Sequence, residues 1–152
     1  MGQPGDLVDI ATAVLDSHAR RVGTELVPRT GDAHADAKAL HDLDAVVLSH
    51  DGGADPHFVY ANAAACELWR MPMHDIVGMA SRLSAPPDQR DERASMLSAA
   101  AAADNGVLHG YSGIRVASDG TLFVIEDATL WTVDDYATGP GQAVVFRTWH
   151  PA

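Results

Sequence analysis

"YSGIRVASDGTLFVIEDATLW", residues 111–131, is the stretch that decides the fold. Two runs rich in β-branched and aromatic residues flank the turn Ser118-Asp119-Gly120, the pattern of a β-hairpin. Both runs are apolar on both faces, so the hairpin needs a cover on each side. Arg115, Glu126 and Asp127 are set among the apolar residues. Strand alternation puts Tyr111, Gly113 and Arg115 on one side and Ser112, Ile114 and Val116 on the other. Gly113 between two large residues leaves room on its face, either for a ligand or for a packed side chain. Arg115 and Tyr111 are therefore expected to share a cavity face with Trp69 or Arg82. A buried guanidinium needs a partner, and Glu126 on the adjacent strand is the nearest candidate. Two readings of Arg115 stand side by side: a cross-strand ion pair, or an arginine held to receive an anionic or carbonyl ligand.

Outward from the hairpin, a third long strand is expected over 142–149, after the Asp134–Gly141 loop. Upstream, AVVLSH (45–50) and FVYAN (58–62) read as short strands joined by the turn DGGADP. Asn62 is placed to cap a helix over 63–70, and 71–79 reads as one or two helical turns. Pro86-Pro87 open a longer helix to about Ala103, with Asp88, Asp91 and Glu92 near its positive end. Asn105-Gly106 end it. At the start, Leu7, Ile10, Ala11, Val14, Leu15 and His18 recur at helical spacing over residues 6–22, with Asp6 as N-cap and Arg20-Arg21 in the last turn. A short helical piece around Ala35–Asp42 follows. The expected division is an N-terminal helix and connector over 1–32 and the main domain over 33–152. The middle helices would cover one sheet face. Helix 6–22, alone or with a second subunit, would cover the other.

Composition narrows the function classes. The 152 residues suit one domain with a real core, and 47% hydrophobic with 20% charged residues describe a globular protein. No run approaches the roughly 18 apolar residues of a membrane span. The opening MGQPGDLVDI lacks the basic and apolar regions of a secretory leader, and a single cysteine fits a reducing compartment, so a cytoplasmic location is expected. A formal charge of −11 argues against nucleic acid or an anionic membrane as partner.

The segments "SHDGGADPHFVYAN", "SRLSAPPDQRDERASML", "YSGIRVASDG", "IEDATLWTVDD" and "GQAVVFRTW" occur in the order found in the bacterial, stand-alone MEKHLA domains, a PAS-related family. The resemblance runs from roughly Val14 to Trp149. It implies an α+β, PAS-like fold: a five-stranded antiparallel sheet with helices on one face, here with an N-terminal amphipathic helix. It implies a sensing or interaction role and no catalytic mechanism. Cys66, Trp69 and the segment 99–106 depart from the family pattern and leave a shared ligand unsupported. Phe58 to Arg93 also resembles a LOV flavin photosensor. The reactive cysteine of that group falls at Ser81, and its flavin-binding Asn and Gln fall at Ala80 and Ala85. A flavin–thiol photoadduct at this position is excluded. Cys66, among alanines on the preceding helix, reads as a small buried hydrophobe.

Other chemistries find little support. The eight histidines form no compact ligand motif. His50, Asp51, Asp55 and His57 are the best metal cluster, but they read better as a solvated loop of Asx-turns, and no metal site is assigned. Only His74 or His109 are placed for a haem ligand. Ser49, Ser81 and Ser84 lack a nucleophile-elbow context. No catalytic residues are assigned, no cofactor is named, and the reading leans away from an enzyme. The expected function is a cytoplasmic sensory or ligand-binding module. A small molecule would bind between sheet and short helices, lined by Tyr60, Trp69, Arg82, Tyr111, Arg115, Glu126 and Trp131. Signalling would pass through a homodimer, built on helix 6–22, or a partner protein. A ligand-free interaction module and a small enzyme on the same scaffold are the alternatives.

Overall fold

Local chemistry sets most element boundaries. A computed structural model describes residues 7–137 and 139–152. Helix α1 spans Leu7–Arg21, and Ile10, Ala11, Val14, Leu15 and His18 form its buried stripe. The expected cap, Asp6, lies outside the described residues. Helix α2, Ala33–His41, is capped by Asp32, whose side chain accepts from the His34 and Ala35 N–H groups. Strands β1 (Val46–His50) and β2 (Phe58–Ala61) follow. Asn62 caps helix α3 (Ala63–Trp69) by accepting from the Ala65 N–H, as expected. Its amide also donates to the Leu40 and Ala45 carbonyls, so one buried side chain ties three segments together. Helix α4 is the single turn Met73–Ile76. The predicted helix after Pro86 begins as a 3-10 turn, Pro87–Gln89, before α5 runs Arg90–Ala102. Then come β3 (Val107–Val116), β4 (Leu122–Val133), β5 (Gly141–Phe146) and β6 (Thr148–Pro151).

The sheet is antiparallel with order β2-β1-β5-β4-β3. The predicted last strand, 142–149, is broken at Arg147. Its first part pairs with the end of β4 (Trp131↔Ala143) and its second part with the start of β4 (Ile125↔Trp149). The hairpin carries two irregularities that cancel. Val107↔Trp131 and Leu108↔Leu130 are followed by Tyr111↔Ala128 and then Gly113↔Ile125. Gly110 (φ 71°) and Asp127 (φ 53°) sit at these shifts. Each extra residue reverses the alternation of its own strand. Phe123 and Ile125 thus share a face with Ala128 and Leu130, while Trp131 and Val133 lie on the opposite one.

The sheet therefore has two cores. Helices α3, α4 and α5 cover one face, over Val46, Leu48, Ile125, Leu130 and Phe146. Helices α1 and α2 cover the other, over Val47, Trp131, Val133 and Val145. Burying a side chain such as Val14 or Leu15 of α1 stabilises the fold by roughly 1.5–3 kcal/mol. Trp131 donates its indole N–H to Ser17 Oγ at 2.9 Å and meets the His18 ring edge-on at 4.8 Å. At the end of α1, Arg21 grips both Asp134 oxygens (3.1 and 2.7 Å), its Nη1 donates to the Asn105 carbonyl and the Asn105 amide donates to the Arg21 carbonyl. The stripe expected to form a dimer interface is thus already buried within the chain, because its own sheet face fills it.

Candidate functional site

A cavity of about 40 Å³ lies between the sheet and helices α3 and α5. Leu48, Phe58, Met96, Ile125, Leu130 and Phe146 make it largely apolar. That volume holds a few waters. His50, Trp69, Arg93, Tyr111, Arg115 and Gln142 supply the polar groups.

Arg115 and Tyr111 reach the cavity side by side because Gly113 lies between them. A Cβ there would fall 2.2 Å from Tyr111 Oη and 3.0 Å from Arg115 Nη1. The room that the sequence placed at Gly113 is filled by its two neighbours. Arg115 Nη1 donates to the Ile114 carbonyl at 2.8 Å, and Nη2 donates to Tyr111 Oη at 3.1 Å. Tyr111 Oη in turn donates to Glu92 at 2.8 Å. The guanidinium also lies 5.5 Å from the Tyr111 ring centroid, a cation–π contact. Burial raises the Tyr111 phenol pKa above its ordinary value, against the pull of Arg115.

Arg93 presents a second guanidinium from α5. It is 7% exposed, lines the cavity and makes no hydrogen bond or ion pair to any described residue. Burial and then the nearby Arg115 charge push its pKa down to about 10, so it stays charged at neutral pH. The Tyr111 phenol and the Glu92 carboxylate pull the other way but do not offset the burial, and a buried cation without a direct partner is costly.

His50 ends β1 beside Gly141, where a Cβ would lie 2.2 Å from the His50 carbonyl oxygen. That close approach keeps β5 against β1. His50 Nδ1 donates to the Asp51 carbonyl at 2.9 Å. This fixes the tautomer and leaves Nε2 as an acceptor, buried with no donor. Burial lowers the pKa to about 4, so the ring is neutral. Trp69 packs edge-on to Phe123 (5.0 Å), and its indole N–H is likewise buried without an acceptor. Gln142 is satisfied, donating to the Leu97 carbonyl of α5 at 3.0 Å.

The structure gathers Trp69, Tyr111 and Arg115 at the cavity and separates the other expected lining residues. Tyr60 and Trp131 face α1 across the sheet; for Trp131 the cause is the Asp127 bulge, which reverses β4 between Ile125 and Trp131. Arg82 is exposed and pairs with Asp55 at 3.2 Å. Glu126 does not meet Arg115; it pairs with His150 at 3.0 Å, because β6 lies along that edge of β4. Sequence reasoning missed Arg93, His50 and Glu92. Arg93 had a readable signal, since Arg93, Met96 and Ala100 form the buried stripe of α5. A lone arginine on an apolar helix stripe calls for a reason.

The loop considered for a metal is held by its own bonds. Asp51 accepts from the His57 N–H at 2.8 Å, and Asp55 is the partner of Arg82. Among the described residues no three His, Cys, Asp or Glu are grouped to hold a metal ion. His74 and His109 are exposed. Ser81, at the photosensor cysteine position, is buried with an unpartnered hydroxyl. Cys66 is half-buried on α3, and burial raises its thiol pKa.

The strand order, the helix-covered cavity and the sequence segments lead to one family. Residues 8–151 match the MEKHLA domain. The chain belongs to the MEKHLA domain family. Among solved structures, this MEKHLA domain is similar to the PAS domain of a protein from Colwellia psychrerythraea. The TM-score is 0.61 at 15% identity, over 74% of this chain and 92% of that one. It is similar to an RNA-binding light-oxygen-voltage receptor at 22% identity and TM-score 0.61, over 84% of this chain but 35% of the receptor. A fungal LOV domain photoreceptor matches over 97% of this chain and 92% of its own, at 18% identity and TM-score 0.57. These likenesses show the PAS/LOV fold. No curated protein matches the sequence. Among the described residues no helix is long and apolar enough to cross a membrane.

Proposed function

We propose that this MEKHLA domain is a cytoplasmic sensory module that binds a small molecule in the cavity beneath α5. The observation that carries the reading is Arg93, a buried cation lining a cavity with no hydrogen-bond or ion-pair partner among the described residues. The unpartnered Trp69 N–H and His50 Nε2 beside it support the same reading. Buried polar groups in native folds are nearly always satisfied, so these groups support a polar occupant, whether water or a ligand.

The sheet supplies a route for a signal. On β5, Gln142, Val144 and Phe146 line the cavity, while Val145 packs in the core beneath α1. An occupant that shifts α5 strains the Gln142–Leu97 bond and moves the strand that both cores share. The response would reach α1 and, through it, a partner protein or second copy. A ligand-free interaction module is the second reading, and the small cavity volume favours it.

Native mass spectrometry and absorption spectra of freshly purified protein test the first reading. A retained small molecule is expected. Arg115→Ala should weaken its retention far more than it lowers the melting temperature. Protein that is ligand-free and binds no small molecule would favour the interaction module.

A further inference from the structure

We propose that the occupant is a short-chain monocarboxylate, its carboxylate lying between Arg93 and Arg115 and its apolar remainder among Met96, Ile125 and Leu130. The proposal rests on the ligand-binding reading and specifies its chemistry.

Two guanidiniums line one small cavity, 7% and 5% exposed. Like charges at close range in a water-poor site repel. The fold tolerates the arrangement most easily when an anion neutralises both. Glu92, the one carboxylate bonded into this cluster, is exposed and already accepts from Tyr111 Oη. Arg115 spends one donor on Tyr111 and one on a backbone carbonyl, whereas Arg93 spends none. A guanidinium with its planar fork free is matched by a carboxylate or a phosphate.

The remaining groups choose between these two. His50 Nε2 is a neutral acceptor and welcomes a hydroxyl donor, which a P–OH of phosphate or a 2-hydroxy group beside a carboxylate would both supply, so the choice falls to the wall. Most of the wall is hydrocarbon, which disfavours a fully hydrated dianion. A carboxylate has an anionic end for the arginines and the Trp69 N–H, and an apolar end for Met96. A 2-hydroxy group would add the donor that His50 lacks. The cavity admits a carboxylate head as it stands, and a tail requires Met96 to swing, which its unbranched chain allows. The net charge of −11 makes the rest of the protein a poor receptor for anions. Anion binding would therefore be local to this pair of arginines.

Titration calorimetry on the full chain would use propionate, butyrate and lactate, with propionamide, lactamide and inorganic phosphate as controls. A carboxylate should bind with Kd at or below about 1 mM, and its amide about 10- to 100-fold more weakly. Lactate should bind more tightly than propionate. Arg93→Met should weaken carboxylate binding by about the same factor while leaving the melting temperature equal or higher, because an unpaired buried charge is gone. Arg93→Gln serves as a second variant, with circular dichroism to show that each is folded. Amides equal to carboxylates, tighter binding of phosphate, or carboxylate affinity unchanged in folded Arg93→Met would each overturn the carboxylate assignment. Absence of carboxylate binding would overturn it too. If native mass spectrometry still finds a neutral molecule in the protein, the ligand-binding reading survives that failure. If no small molecule of either charge binds, both fall.

Discussion

Two buried tryptophans divide this molecule. Trp131 faces α1, its indole N–H bonded to Ser17 and its ring held against His18. Trp69 faces the cavity, packed against Phe123 and Phe146, its N–H without an acceptor among the described residues. The same side chain is used as a finished joint on one side of the sheet and left open on the other. The contrast extends to neighbours. On the α1 side, His18 Nδ1 donates to the Thr24 carbonyl (2.6 Å), and Ser17 both accepts from Trp131 and donates to the Val14 carbonyl. Tyr60 Oη is the exception there. On the cavity side, His50 and Trp69 are orphans and Arg93 has no partner. Satisfied polar groups mark a face that stabilises. Unsatisfied ones leave the other face able to take a polar occupant.

The largest expected effect lies on the closed face. Trp131→Phe removes a fully buried hydrogen bond, leaves Ser17 without its donor and opens a void beside α1. A loss of about 3 kcal/mol is expected in urea unfolding, combining the cavity and hydrogen-bond costs. A loss under about 1 kcal/mol would mean that α1 is only loosely docked and the two faces differ less than described.

Acid separates the faces next. In the unfolded chain His50 titrates near 6.5, and in the folded protein at about 4. Between those values the unfolded chain holds a proton that the folded protein does not, so lowering the pH favours unfolding. The contribution is fully present above pH 6.5 and is lost as the pH falls towards 4. Burial is the main cause, and the Arg93 charge adds to it. Between pH 7 and pH 5 the wild type should lose about 2 kcal/mol more than His50→Asn. Parallel pH profiles for the two proteins would show that His50 is hydrated or already donor-bonded.

Why the two faces were only partly separable in the sequence follows from one residue. The element order, the Asn62 cap and the Tyr111-Gly113-Arg115 face were readable, because each rests on local spacing. Those three residues lie on one side of the Gly110 irregularity, where alternation holds. Trp131 lies beyond Asp127, a non-glycine residue at φ 53°, and no turn signal marks it. Counting by twos across that point assigns Trp131 to the wrong core. Tyr60 was misplaced for a different reason: β2 is short and buried almost throughout, so its pattern carries no face information. Arg82 and Glu126 found exposed partners, Asp55 and His150, that lie far away in sequence.

The matched substitution on the open face should be milder. Trp69→Phe loses ring volume against Phe123 and Phe146, but it also removes a donor that has no acceptor. The two effects offset, and a net loss of about 1 kcal/mol is expected. Ligand retention should fall at the same time, since the indole N–H is one of the polar groups offered to the occupant. A stability loss equal to that of Trp131→Phe would place both tryptophans in the structural class.

The smallest effect is expected at Arg82, and its smallness is informative. The sequence put this residue at the cavity with Tyr111 and Arg115. The structure puts it on the 3-10 turn Ser81–Ser84, about half exposed, bonded to an equally exposed Asp55 at 3.2 Å. An exposed pair of this kind is screened by water and contributes under about 1 kcal/mol. Arg82→Ala should therefore shift unfolding by no more than about 0.5 kcal/mol and leave ligand retention unchanged. The neighbouring Ser81 makes the measurement sharper, because its buried, unpartnered hydroxyl belongs to the same turn. If Arg82→Ala reduced retention as strongly as Arg115→Ala, the turn would have to fold inward when the occupant binds. The open face would then extend from the cavity to the loop that carries Asp55.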